Sequence, residues 1–501
     1  MPTEALGPRL AAAAALGAVF TLGFVHTEAW ALQWACIGLL AWLVRTATPR
    51  RAALLGWAFG FAWLGAGTWW LYVSLHRYGD LAAPIAVLAV AALAAALALY
   101  LGAALALFAR LRSGRLVPDA LLFGACWLLA ELARAFLFTG FPWVATGYGQ
   151  VDAPLAGLAP WIGVYGIGAV VAMGAALLGL AGSLTRQLAA AAAVAVALLL
   201  APFGARDFGS SAGRIGVTLL QTNVAQQDKF DPAKLPHALE RLATAFEQAR
   251  GPLVIAPETA IPLLPEQLGA EAWQRLTGTF RDGPRALLVG LPLGSFEAGY
   301  TNSVAGIAAG APAPYYRYDK HHLVPIGEFI PPGFRWFTEM MNIPLGDFAR
   351  GPAVPASFAF AGQRIGPNIC YEDLFGEELA RRFADDASAP TLLANVSNIA
   401  WFGDTIALPQ HLHISRFRTL ELQRPMVRAT NTGLTAAIDH RGVVIAQLRP
   451  FEHGALQVEV DGRRGLTPFA RWAAAFGLAP LLAFAVALLA LCGRWRSESA
   501  P

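Results

Sequence analysis

Ile365-Gly-Pro-Asn-Ile-Cys370-Tyr371-Glu372-Asp373 runs from a short strand-like stretch into a cysteine and an acidic turn, and a helical stretch opens at Glu377. A strand-to-helix corner of this kind exposes the side chain at its apex. It also turns backbone N–H groups toward any oxyanion formed beside it. A cysteine there becomes a nucleophile once a base and a nearby cation are supplied. Taken alone, the segment is equally compatible with a buried structural cysteine.

The surroundings of this corner have α/β texture. Apolar runs of strand length recur at Arg214–Leu220, Leu253–Ala256, Ala286–Val289 and Thr391–Val396. Helical stretches such as Leu235–Ala249, Glu377–Phe383 and Ile414–Arg424 lie between them, set off by Gly and Pro. Residues 214–462 therefore read as one α/β domain, large enough to bury its own core. Beyond it the texture changes. Seven apolar runs occupy roughly 8–25, 29–46, 52–75, 82–109, 117–138, 156–183 and 187–203, and another runs from about 469 to 492. Each is near the length that crosses a bilayer. The expected organisation is a seven-span membrane domain at 1–205, the α/β domain, and an eighth transmembrane helix at 469–492. Composition agrees: 56% of residues are apolar, 14% are charged and the mean hydropathy is +0.49. A soluble protein carries about a quarter charged residues.

The arginines orient the bundle. Arg9, Arg45, Arg50, Arg51, Arg110, Arg112, Arg115, Arg186, Arg494 and Arg496 all fall on one side if every run spans. The loops His26–Glu28 and Thr139–Pro154 carry no Lys or Arg. The positive-inside rule makes the arginine side cytoplasmic and the α/β domain external, in the periplasm of a two-membrane bacterium. The first run is read as a span rather than a cleaved leader, since no small-x-small site follows it at a suitable distance. A net charge of +4, with arginines confined to short loops, fits membrane orientation and argues against a nucleic-acid partner. Cys36, Cys126 and Cys492 lie in apolar runs, leaving Cys370 in a polar region. No disulfide framework, metal or cofactor is expected, and the pairs His321–His322 and His411/His413 have no converging partners in the sequence.

Two further segments repeat the pattern of a strand ending at a chemical group. Leu253-Val-Ile-Ala-Pro-Glu258-Thr-Ala-Ile-Pro262 ends an apolar run at an acid held between prolines. Tyr315-Tyr-Arg-Tyr-Asp-Lys320-His-His-Leu-Val-Pro-Ile-Gly-Glu328-Phe329 places a lysine after an aromatic strand and a second acid in the loop that follows. Each has a plainer reading, Glu258 as a cap or surface acid and Lys320 as a solvated lysine. The stretch Phe329–Ile343 holds Phe329, Phe334, Trp336, Phe337, Met340, Met341 and Ile343 with little periodicity. It is either ordinary core or an apolar lid that dips into lipid. Trp69, Trp70, Trp143 and Tyr148 are candidates for an interfacial belt. Glu131 and Arg134, three residues apart in an apolar run, suggest a structural ion pair.

A carboxylate, a lysine and a cysteine, each after a strand and in this order, resemble the nitrilase (carbon–nitrogen hydrolase) family. The matching motifs are Pro257-Glu258, Lys320-His-x-Leu-Val-Pro-x-Gly-Glu328 and Ile369-Cys370-Tyr371-Glu372. Ala256–Pro262, Asn395–Asp404, Thr139-Gly-Phe-Pro-Trp143 and Gly147-Tyr-Gly-Gln150 narrow the likeness to the membrane branch of that family, the apolipoprotein N-acyltransferases. Ala256 and Ser397-Asn398-Ile399 depart from the common wording without touching the triad. The resemblance implies an α-β-β-α sandwich and a ping-pong reaction without a cofactor. Glu258 is then the base, Cys370 the nucleophile and Lys320 the oxyanion partner. Glu328 and Glu372 support the triad, and Tyr371 lines the acyl or head-group pocket. The implied acyl donor is a phospholipid, and the acceptor is the N-terminal diacylglyceryl-cysteine of an apolipoprotein. The expected setting is the inner membrane, with the protein working as a monomer. The triad alone would equally serve an amidase. A transporter would need charges along a path through the spans, which carry few.

Overall fold

The computed structural model describes residues 5–312, 314–331, 333–336 and 348–497. The chain divides into two compact units, one of Met1–Tyr72, Ala82–Arg206 and Phe476–Pro501 and one of Val73–Leu81 and Asp207–Ala475. The nine residues Val73–Leu81, which the apolar pattern assigns to the bundle, thus belong to the second unit.

The first unit is helical. Among the described residues, six helices are long and apolar enough to cross a membrane: Leu6–Phe24, Thr27–Val44, Ala83–Leu111, Leu116–Thr139, Pro154–Leu180 and Leu184–Gly204. This is a membrane protein. The expected third span is the helix Pro49–Thr68, 20 residues long. It opens on Arg50 and Arg51 and is diluted by glycine, so it is not among the six. The expected last span is broken. Gly477, at a φ of +56°, separates the helices Pro468–Phe476 and Ala479–Ser497. Counting those two helices as one span brings the total to seven. Among the described residues, six or seven of the eight expected spans are thus long and apolar enough to cross a membrane.

Burial in lipid forces every polar side chain to find a partner inside the bundle. Glu131 Oε1 accepts from the Thr146 N–H and hydroxyl, both at 2.7 Å. Arg134 donates to the carbonyls of Phe141, at 3.3 Å, and Trp143. The two side chains are 4.0 Å apart. They pin the segment after their own helix, which is the structural role expected of them. Trp70, Trp143 and Tyr148 are buried, Trp70 against Trp143 at 4.8 Å. They are core aromatics rather than an interfacial belt, and Trp69 alone of the four is exposed.

The second unit contains twelve strands among its described residues. One sheet has the order β12-β1-β2-β3-β4-β5 and the other β11-β10-β9-β8-β7-β6. The first comprises β1 (Ser210–Gln221), β2 (Leu253–Ile255), β3 (Ala286–Ser295), β4 (Gly299–Ile307), β5 (Tyr316–Asp319) and β12 (Gly454–Arg464). The second comprises β6 (Phe358–Phe360), β7 (Gln363–Ile369), β8 (Leu392–Ser397), β9 (Met426–Thr430), β10 (Ala436–Ile438) and β11 (Val444–Gln447). The central strands β1–β2–β3 and β7–β8–β9 pair in parallel, and the outer ones antiparallel.

Side chains alternate across each strand, so each sheet has two apolar faces to cover. Val217, Leu219, Ile255 and Leu288 of one sheet meet Ile365, Ile369, Ala394 and Val396 of the other. The opposite face of the first sheet, with Val254, Leu287 and Val289, packs on Leu242 and Phe246 of the helix Leu235–Gln248 and on Leu276 and Phe280 of the helix Pro265–Arg281. The outer face of the second sheet, with Leu393 and Met426, packs on Leu379, Phe383, Leu422 and Phe469. The result is four layers, α-β-β-α.

Candidate active site

The three groups singled out by sequence converge where strands of both sheets end. Ala256 and Pro257 carry the chain from β2 to Glu258, with the next residue, Thr259, at a φ of +49°. Lys320 directly follows β5, and its N–H donates to the Asn302 carbonyl at 2.9 Å. Cys370 directly follows β7 at a φ of +50°. A non-glycine residue held there carries backbone strain of about 1–2 kcal/mol.

Two carboxylates face one ammonium. Lys320 Nζ lies 2.8 Å from Glu328 Oε1 and 3.5 Å from Glu258 Oε1. The Asn302 amide nitrogen donates to the same two oxygens, each at 2.7 Å. These donors offset the repulsion between the two acids. The remaining oxygens are also satisfied, Glu258 Oε2 by the Asn398 N–H at 2.7 Å and Glu328 Oε2 by the Val324 N–H at 2.8 Å. Burial opposes the charge on Lys320, but Glu328 and Glu258 outweigh it and hold the ammonium well above the usual lysine range. Lys320 is therefore a fixed cation. Burial pushes the Cys370 thiol up and Glu258 pushes it the same way, while Lys320 and the Asn398 N–H pull it down. The resting thiol keeps its proton, so it needs a base at the moment of attack. Glu258 interacts electrostatically with it.

The supporting residues divide. Glu328 touches Lys320 directly. Glu372 instead ties two strand ends together. Its oxygens accept from the N–H groups of His321 and Ile369, at 2.8 and 2.7 Å, and from the Tyr318 hydroxyl at 2.6 Å. Tyr371 is buried, with its ring 5.3 Å from Phe375 and 5.7 Å from His322. Among the lid candidates, Phe334 and Trp336 are exposed, at 46% and 61%. Phe329 is half-buried under the Arg350 guanidinium, 5.1 Å from the ring centre. Phe337, Met340, Met341 and Ile343 lie outside the described residues.

Several residues to which the sequence reading gave no role belong to the site. Asn302 bridges the two acids. Asn398 lends its N–H to Glu258 and is itself held by Gln226 and Asn431, at 2.9 and 3.0 Å. Lys229, 5% exposed, donates to the Glu258 carbonyl at 3.1 Å. Burial lowers its ammonium to about 8, against the opposing pull of Glu258 and Cys370. No strand-to-acid or strand-to-cysteine signature marks any of them. Among the described residues no group of His, Cys, Asp and Glu has the arrangement of a metal site.

Two family models cover most of the chain. That of the apolipoprotein N-acyltransferase N-terminal domain matches residues 16–177, and that of carbon-nitrogen hydrolase matches residues 217–469. The apolipoprotein N-acyltransferase of Verminephrobacter eiseniae is 51% identical over 480 residues, 90% of this chain and 89% of that protein. That of Ralstonia nicotianae is 45% identical over 496 residues, covering 97% and 94%. A solved carbon-nitrogen hydrolase from Helicobacter pylori is 14% identical with a TM-score of 0.37, covering 50% of this chain and 90% of that one.

Proposed function

The chain belongs to the apolipoprotein N-acyltransferases, and from that premise we propose how its second unit moves an acyl chain. Glu258 takes the thiol proton, and the Cys370 sulfur attacks the carbonyl carbon of a phospholipid ester. A C–S bond forms and the carbonyl electron pair moves onto oxygen. Lys320 and backbone N–H groups hold that oxyanion. When it collapses, the ester C–O bond breaks, and the lysophospholipid leaves with the proton stored on Glu258. The acyl chain remains as a thioester. The α-amine of a lipoprotein's N-terminal diacylglyceryl-cysteine attacks next, loses a proton to Glu258 and expels the thiolate. An amine competes with water here only if water is kept out.

The observation that carries this reading is the geometry around Lys320, one buried ammonium within 2.8 Å of Glu328 and 3.5 Å of Glu258, beside a half-buried thiol. It is a proton acceptor and a fixed cation prepared for a nucleophile that rests protonated. Lipid substrates also account for the six apolar helices, which a hydrolase of small soluble amides does not need. Phe329, Phe334 and Trp336 are suited to meet acyl chains as part of a lid. The setting is the inner membrane, with the second unit on the periplasmic face because the arginines cluster in the opposite loops. The proposed working unit is a monomer.

Mass spectrometry after incubation with phospholipid tests the core of the proposal. The protein should gain one acyl chain on Cys370, and adding a diacylglyceryl-cysteine peptide should remove it with N-acylation of the peptide. A protein that stays unmodified, or whose acyl chain passes only to water, would overturn it.

A further inference from the structure

Beneath Cys370 lies a polar cluster that the mechanism above does not use. His411, on the helix Ala407–Leu422, is fully buried. Its Nδ1 is 3.0 Å from Arg428 NH2, and its Nε2 is 3.3 Å from the Cys370 carbonyl oxygen. A guanidinium can only donate. Nδ1 must therefore offer its lone pair, which places the ring proton on Nε2, where it donates to the Cys370 carbonyl. Burial, with Arg428 adding to it, holds the imidazole well below its usual range and so neutral. This matches the single-proton ring that the geometry demands. Arg428 is itself locked. It donates to the His411 carbonyl at 2.8 Å and to the Ser415 hydroxyl, with Asp373 Oδ2 3.5 Å away.

A second donor reaches the same carbonyl. Asn395 Nδ2 is 3.4 Å from the Cys370 oxygen and 2.6 Å from Asn368 Oδ1. On β8, Ala394 and Val396 face the interior between the sheets. Asn395 therefore points the other way, toward the layer that holds His411. Both carbonyl lone pairs are thus drawn to the outer side of the second sheet. A peptide unit is planar and trans, so its C=O and N–H point in opposite directions. Fixing the Cys370 carbonyl outward turns the Tyr371 N–H inward, to the side from which the first sheet brings Lys320. At a φ of +50° Cys370 opens a 3-10 turn over Cys370–Leu374, and His411 and Asn395 add their hold on this plane to that of the turn.

We infer that His411 is a positioning residue of the acyl-transfer site: with Asn395 it clamps the Cys370 carbonyl and so aims the Tyr371 N–H at the oxyanion. The inference rests on the thioester reading above.

The test compares two reactions of the same thiol in the full-length, detergent-solubilised protein. One is acylation of Cys370 by phosphatidylethanolamine in mixed micelles. The other is alkylation by iodoacetamide, a displacement at saturated carbon that builds no oxyanion. His411→Leu should slow acylation about 10²-fold, as loss of one oxyanion donor does, while alkylation stays near the parent rate. His411→Gln, whose amide can accept from Arg428 and donate to the carbonyl, should recover most of the loss. Asn395→Ala should give a smaller loss of acylation with alkylation retained, and it keeps the test open if His411→Leu does not fold. Equal slowing of both reactions would overturn the inference, since His411 would then only support the thiol. So would unchanged acylation in folded His411→Leu or Asn395→Ala, or a folded Gln variant as slow as Leu. If the unaltered protein never forms an acyl-thioester, the underlying reading has failed instead.

Discussion

In the proposed mechanism Glu258 accepts a proton from a thiol that its own negative charge helps to keep protonated. The conflict is resolved by Lys320, which neutralises the acid at rest and the new sulfur or oxygen charge during attack. Glu258→Gln keeps the shape and removes the basicity. It should stop thioester formation while leaving the thermal midpoint close to the parent's. Lys320→Met keeps the stem and removes the charge. Single-turnover acylation should fall by about 10²–10³ while lipid binding changes little. Lys320→Arg should not restore the rate, because a planar fork replaces a compact charge in a pocket already filled by Asn302 and two acids. Lys229 gives a pH signature. The unfolded chain keeps its proton to about 10.5 and the native state only to about 8. Between those values the unfolded state binds more protons, so the native state gains stability as pH rises. Below about 8 the penalty for burying the charge is present in full. The stability of the unaltered protein relative to Lys229→Met should therefore climb by about 3 kcal/mol across that window, read from denaturant midpoints at each pH. The placement of Glu258, Lys320 and Cys370 was legible because each follows a strand run. Asn302 and Lys229 were not, since an asparagine within a strand and a lysine in a polar loop look like a hundred others. Their partners lie 44 and 29 residues away.

At the level of elements, the site depends on how closely the β2–Glu258 turn can approach β3. Gly290 makes that approach. A Cβ there would lie 2.4 Å from the Pro257 carbonyl oxygen and 2.7 Å from Glu258 Cα, and both neighbours are backbone. Gly290→Ala should therefore move Glu258 without touching substrate. A displacement near 1 Å can cost about 10²-fold, so acylation should drop by roughly that factor in a protein that still folds. Parent-like kinetics in Gly290→Ala would show that the turn can give way. The elements themselves were largely readable. The strand runs stand between Gly and Pro, and the apolar runs became helices. The last run was not, because its apolar character continues through Gly477 and only the backbone at that residue shows the break. The pattern at Pro49–Thr68 likewise reads as a span, although its opening arginines and its glycines weaken it.

For the whole molecule, the arginine pattern makes a prediction about sides. In inverted and right-side-out vesicles, a cysteine label introduced near Arg112 should react only from the cytoplasmic face, and one near Ala298 only from the other. The opposite labelling would reverse the orientation. Residues Val73–Leu81 have a consequence in time. They sit between two helices of the first unit yet belong to the second. Ser74 donates to the Trp401 carbonyl at 2.8 Å, and the Tyr78 ring meets the Trp401 ring at 5.6 Å. Ser74 and Trp401 are 327 residues apart. At about 5–20 residues per second, the ribosome delivers Trp401 roughly 16–65 s after Ser74. Throughout that interval the segment has its own backbone hydrogen bonds, such as Gly79 N–H to the Ser74 carbonyl at 2.9 Å, but waits for a partner not yet synthesised. Its His, Arg, Ser and Asp side chains suit a stretch that has to remain in water until the rest of its unit exists.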